Sequence, residues 1–133
     1  MGMLGGLLES LRQAASGMRA QTTRLQVVSE NVANADTPGY RRKTLSFETH
    51  GTEKGALPLV RAGRVRLDGS PLRKIHDPGH PLAGPDGSYF GSNVNLMIEL
   101  ADAREAQRSY EANLRMFDQA RQMSAGLLEL LRR

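Results

Sequence analysis

The 133-residue chain carries a net charge of +4, is 39 % hydrophobic but only 5 % aromatic, and contains neither Cys nor Trp. Disulfides and cysteine-ligated metals are excluded, and a compact core built on aromatic side chains would be thin. No run approaches the ~18 apolar residues of a membrane span. The opening Met1-Gly2-Met3-Leu4-Gly5-Gly6-Leu7-Leu8 lacks the basic and long apolar regions of a cleavable secretory signal, so none is expected.

The first forty residues carry the strongest pattern. Leu4, Leu11, Met18, Leu25 and Val32 recur at seven-residue intervals; Leu7, Ala14 and Val28 fill three of the four positions between them, and Gln21 interrupts the remaining one. This repeat predicts a coiled-coil-like helix whose apolar stripe must be covered by another surface. The helix is expected to stop between Val32 and Thr37: Asn34 can adopt the left-handed conformation after a C-terminus, and Pro38 cannot donate a helical hydrogen bond. Pro38-Gly39 fits the central positions of a type II turn.

Residues 41–92 hold the whole charge excess, nine bases against five acids, while both flanking segments are neutral. Thr44–Glu48 and Val60–Leu67 alternate in polarity as short strands do, with Val65 and Leu67 on one face and Arg64 and Arg66 on the other. Prolines and glycines crowd the same region, predicting arms and turns. Arg41, Arg42, Lys43, Arg64 and Arg66 offer an alternative function, a small basic nucleic-acid-binding protein, but interleaved aromatics and a recognition helix are lacking. His76-Asp77-Pro78-Gly79-His80-Pro81 reads as turn chemistry in preference to a metal site, since a third ligand is missing nearby in sequence. There is no nucleophile elbow, P-loop or dinucleotide-binding glycine pattern, so no catalytic, cofactor-binding or metal-ligating residue is expected.

From Asn95, a candidate cap, to Leu131 neither Pro nor Gly occurs before Gly126, which predicts a second helix of ~37 residues and ~55 Å. Its seam runs through Leu96, Leu100, Ala103, Ala106, Tyr110, Leu114, Phe117, Ala120, Ser124, Leu127 and Leu131, with Asn113 beside it; Met97, Met116, Met123 and Leu130 widen the stripe. The fold expected is therefore mainly α: two long terminal helices in a coiled-coil-like pair around a loop-rich middle with a few short strands. The corresponding division is 1–40 (helix and turn), 41–92 (loops and strands) and 93–133 (helix). Stripes wider than one partner helix needs imply self-association, and heterologous contacts of that kind build open helical arrays.

Asn31-Val32-Ala33-Asn34-Ala35-Asp36-Thr37-Pro38-Gly39-Tyr40 at the end of an N-terminal heptad helix resembles the signature of bacterial flagellar rod and hook proteins. Ser70–Pro81, Gly87-Ser88-Tyr89, Asn93-Val94-Asn95 and Arg108-Ser109-Tyr110-Glu111-Ala112-Asn113 extend the resemblance to the proximal-rod branch of that family. Within the family, a paralogous or distal-rod subunit is the alternative. Residues 48–60 match no motif. The resemblance implies a non-catalytic structural subunit, exported unfolded by the flagellar type III apparatus and assembled in the periplasmic rod of the basal body. Its implied partners are copies of itself, other rod proteins and the export apparatus, with the MS-ring as a further candidate; nucleic acid and direct membrane insertion are not among them. The residues it singles out are Asn31, Ala33, Asn34, Thr37, Pro38, Gly39 and Tyr40 in the first turn, Asp77, Pro78, Gly79, His80 and Pro81 in the second, and the two helix seams.

Overall fold

A computed structural model describes residues 2–51 and 56–132; residues 52–55 fall within the 48–60 stretch for which sequence supplied no motif. Helix α1 spans Met3–Ala33 and helix α2 spans Leu96–Leu131, and between them lie strands β1 (Lys43–His50), β2 (Leu59–Leu67), β3 (Lys74–His76) and β4 (Ser88–Phe90). The chain is thus mainly helical, with its long helices at the two ends and short strands in the middle.

Helix α1 ends where the breakers place its end, but by a different device. Asn34 has φ −107°, not the expected left-handed value. Its backbone N–H and its side-chain amide both donate to the Glu30 carbonyl, at 3.1 and 2.9 Å. With that carbonyl satisfied twice, the backbone has no need to reverse hand. The turn that follows closes through Tyr40 N–H to Thr37 O at 3.2 Å with Gly39 at φ +75°, the type II geometry that Pro38-Gly39 dictates. Asn95 caps α2, its side-chain oxygen accepting from Met97 N–H at 3.0 Å.

The middle folds as two separate two-stranded sheets. β1 and β2 pair antiparallel from Lys43↔Leu67 to His50↔Leu59, with a bulge where Gly63 and Arg64 oppose Ser46 alone. A Cβ at Gly63 would lie 2.9 Å from Glu48 Oε1 and 3.0 Å from Ser46 O, so the bulge requires glycine. β3 pairs antiparallel with β4, Ile75 opposite Tyr89. This second pair escapes strand reading because three residues are too few to show alternation.

The two helices lie antiparallel, Asn31 meeting Glu99 near one end and Gly17 meeting Asn113 midway. Leu7, Ala14, Gly17, Val28 and Asn31 are buried and share one face of α1, at steps of three, seven and eleven residues, and on α2 the buried positions are Glu99, Ala106 and Ala120. A second α1 face is covered by the hairpin: Ser16 accepts from Val60 N–H at 3.1 Å and Gln13 donates to Pro58 O at 3.2 Å, with buried Ala20 and Val27 continuing that row. α1 is therefore wedged between α2 and β2, and the interhelical seam is made mostly of small side chains. At Gly17 a Cβ would sit 2.6–2.8 Å from the Asn113 amide. Gly17→Leu is expected to force the helices apart and cost about 1–3 kcal/mol, read as a lower thermal midpoint of the helical circular dichroism. Gly6→Ala, whose added carbon meets open space, should leave that midpoint unchanged or slightly raised.

Candidate assembly site

Where the first turn, the hairpin and both helices converge, a set of polar side chains is buried together. Asn31, 1 % exposed, forms two reciprocal hydrogen bonds with the backbone of Lys43, donating to its carbonyl and accepting from its N–H, both at 2.9 Å. The Asn31 oxygen also accepts from Tyr40 OH at 2.8 Å, and its amide donates to Glu99 Oε2 at 3.2 Å. Glu99 is fully buried, and its other oxygen receives a short charge-assisted bond from Arg42 Nε. Arg42 completes its fork on Asp102 at 2.8 Å, with Asp68 3.8 Å away. Arg24 of α1 reaches Asp102 and Glu105 of α2 at 3.2 and 3.3 Å.

Each protonation state here has a physical cause. Burial pulls the Arg42 guanidinium toward the neutral form, but the hydrogen bond and charge of Glu99, with Asp102 and Asp68, more than reverse that and raise it above the ordinary arginine value. Burial likewise pushes the Tyr40 phenol up, so its hydroxyl stays protonated and able to donate. Asp68 is held below the usual carboxylate range by the Ser70 hydroxyl and backbone N–H, at 2.6 and 2.8 Å, and then by Arg42 and Arg41.

The remaining turn residues tie the cluster to β4. Gly39 N–H donates to Phe90 O and Gly91 O at 3.1 and 3.2 Å, Asn93 N–H donates to Tyr40 O at 3.4 Å, and Ser92 Oγ donates to Ala35 O. Ala33 is the last residue of α1, and Thr37 and Pro38 are exposed on the turn. The second turn is closed by His80 N–H to Asp77 O at 3.0 Å, with Pro78, Gly79 and Pro81 exposed around it. His80 stacks on Tyr89 at 3.8 Å and accepts from Leu82 N–H at 3.1 Å, while His76 Nδ1 faces Ser88 Oγ at 3.3 Å. Both imidazoles serve the β3–β4 turn.

The helix seams divide between inside and outside. Leu7, Ala14 and Val28 are buried, Leu11, Met18 and Leu25 are half-buried, and Leu4 and Val32 are exposed. On α2, Tyr110, Asn113, Phe117 and Leu127 are half-buried, whereas Leu96, Leu100, Leu114, Met123 and Leu131 are exposed. The seven-residue stripe of α1 thus lies at the rim of the helix pair, and Leu25 flanks a groove with Tyr110 and Leu114. Of the residues considered for nucleic acid, Arg42 is committed to Glu99, Asp102 and Asp68, and Lys43 pairs with Glu30 at 2.8 Å. Those cations are neutralised within the fold.

Two family models match this chain, one described as flagella basal body rod protein over residues 11–41, the other as flagellar basal body rod FlgEFG protein C-terminal over residues 87–130. The flagellar basal-body rod protein FlgC of Agrobacterium fabrum is 42 % identical over 126 residues, covering 90 % of this chain and 91 % of its own. The FlgC proteins of Salmonella typhimurium and Borreliella burgdorferi are each 31 % identical, covering 93 % and 95 % of this chain and 97 % and 98 % of their own. The chain belongs to the FlgC family of flagellar basal-body rod proteins. It is a structural rod subunit. The regions matched by the rod-protein models are α1 with its turn and β4 with α2, so Asn31 and Tyr40 fall in one match and Glu99 and Asp102 in the other.

Sequence reasoning singled out Asn31 and Tyr40 and missed Glu99, Arg42 and Asp102 as their partners. The available signal is a carboxylate at 99 in phase with Ala103 and Ala106, an inward position where a charge demands a cation. Asn31→Ala strands both Lys43 backbone groups and the Tyr40 hydroxyl, and is expected to cost about 2 kcal/mol or more, against about 1 kcal/mol for Tyr40→Phe. The double variant should lose less than the sum in chemical denaturation, because the two share one bond. Since the folded Asp68 carboxyl titrates below its unfolded value, its contribution is present above the ordinary carboxylate range and vanishes as pH falls through the folded value. Asp68→Asn should accordingly be less stable than wild type at neutral pH and converge with it in acid, measured by thermal melts across that range.

Proposed function

We propose that this rod subunit belongs to the proximal rod and assembles, with copies of itself and with other rod proteins, through the outer faces of α1 and α2. The observation that carries the proposal is where the large apolar side chains lie. Among the described residues, fourteen of the twenty exposed large hydrophobics are on the two helices, including Met97 at 74 %, Leu128 at 52 % and Leu131 at 78 % exposed. Moving one such side chain from water into a contact is worth roughly 1.5–3 kcal/mol, so a few per interface suffice to drive association. The turn residues Asn31 to Tyr40 act in this reading by fixing the angle at which the middle segment leaves the helices, and Asp77 to Pro81 by shaping the second turn.

Export follows on the same view. A chain without disulfides, whose helix pair is held by small side chains, is readily kept unfolded through a type III channel and folds on the periplasmic side as neighbours cover its stripes. Its partners are then the export apparatus in transit, other rod proteins in place and the MS-ring at the base.

Leu100→Asp and Leu114→Asp, both at exposed positions, test the assembly reading. In cells lacking their own copy, each variant is expected to be made, to give wild-type helical circular dichroism when purified, and to abolish swimming and recovery in isolated basal bodies. Normal motility with either variant would sink the assignment of these faces.

A further inference from the structure

We propose that the Asn31–Arg42–Glu99–Asp102 cluster is a register lock: it makes α1 and α2 pair within one chain and in one alignment, leaving the outer faces for other copies. The inference deepens the assembly reading by naming what prevents the terminal helices from pairing with each other across molecules.

The interhelical seam itself discriminates poorly between alignments. Apart from Asn31 and Glu99, its buried members are apolar or small and fall at heptad multiples: Leu7, Ala14 and Val28 on α1, and Ala106 and Ala120 two heptads apart on α2. Because Ala106 and Ala120 each lie seven residues from Asn113, a slip of α2 by one heptad sets an alanine opposite Gly17 and meets no obstacle there. The seam also contains two buried polar atoms, Gln21 Oε1 and Ser124 Oγ, without a hydrogen-bond partner among the described residues. They weaken the native alignment without favouring a particular alternative. Glu99 differs in kind. A carboxylate with no exposure is tolerable only where its charge is met, and the native alignment supplies Arg42 to one oxygen and the Asn31 amide to the other. Slipping α2 by a heptad carries Glu99 away from both, toward Arg24 in one direction and past the end of α1 in the other, and in either case Arg42 loses its buried counter-charge and Asn31 its carboxylate. A single buried polar group fixing alignment and partner number is a recognised device in helical coils.

The cluster also enforces pairing in cis. Arg42 lies nine residues beyond the end of α1 and is pinned there by the reciprocal Asn31–Lys43 bonds and the Tyr40 hydroxyl. The cation that α2 needs is thus delivered by the same turn that closes the helix pair. An α2 seeking a free α1 on another molecule gains the apolar seam but meets Arg42 only if that molecule's own turn is already folded and unoccupied.

Because the chain has no cysteine, an engineered pair reports alignment without background. Gly17→Cys with Asn113→Cys places thiols at the native closest approach. Oxidation of dilute purified subunit should give an intramolecular disulfide as the main product. Adding Glu99→Leu, which leaves Arg42 without its buried counter-charge, is expected to cut the intramolecular-to-intermolecular ratio by about tenfold. Arg42→Met with Glu99→Leu is the decisive background, since apolar replacement of a whole buried ion pair usually preserves stability. The lock predicts a folded subunit of wild-type helix content there, with Asp102 keeping Arg24 as its cation, but a ratio still several-fold below the parent. Glu99→Gln, which keeps hydrogen-bonding capacity and removes the charge, gives a second folded background with a smaller decrease. A parental ratio in folded samples of both backgrounds would overturn the proposal and make the cluster a purely stabilising one. The cross-link is read on free subunit, so it can fail while the motility variants behave as assembly requires, and the reverse.

Discussion

A carboxylate with no access to water governs how this chain is put together. Taking Glu99 out of solvent costs several kcal/mol unless a cation and a donor stand against it, and among the described residues Arg42 and Asn31 do so. Asn31 stands on α1 itself, and Arg42 is brought there by the turn at 34–40, whose geometry depends on Asn34 ending the helix and Gly39 accepting a positive φ. The reciprocal Asn31–Lys43 bonds set the start of β1, and the Arg42–Glu99 contact joins that turn to α2.

Around that contact the usual relation of size to burial is inverted. Small residues occupy the seam between the helices, while Met97, Leu100, Leu114, Met116 and Met123 point outward. In a monomer built this way the seam between the helices buries little large apolar surface, the polar cluster sets their alignment, and the hairpin braces α1. The larger apolar surface is left exposed, and burying one of its side chains would contribute more than burying one of the alanines inside.

Much of this was legible in the sequence, for reasons that differ by element. The helices and the Pro38-Gly39 turn were readable because periodicity and breaker chemistry are local properties. The two longer strands were readable from their alternation, though their pairing and the bulge at Gly63 were not. Which face of α1 is inside was not legible, because the seven-residue stripe at Leu4, Leu11 and Met18 satisfies the pattern whether the partner is α2 or another molecule. Leu7, Ala14 and Val28 serve both alternatives, and Gly17 and Asn31, which decide between them, look neutral until Asn113 and Glu99 stand opposite. Contacts across more than sixty residues leave no local trace.

The charge distribution shows the same limit. By segment, the middle is strongly basic and the ends neutral, which invites an anionic partner outside the molecule. In space the acids of both helices answer much of that excess: Glu99 and Asp102 meet Arg42, and Glu30 meets Lys43, while within the middle Glu48 meets Arg61 and Asp86 meets Lys74. Arg64 and Arg66 stay exposed on β2 and, among the described residues, in no ion pair. The molecule thus presents apolar helix faces on one part of its surface and a small basic hairpin face on another.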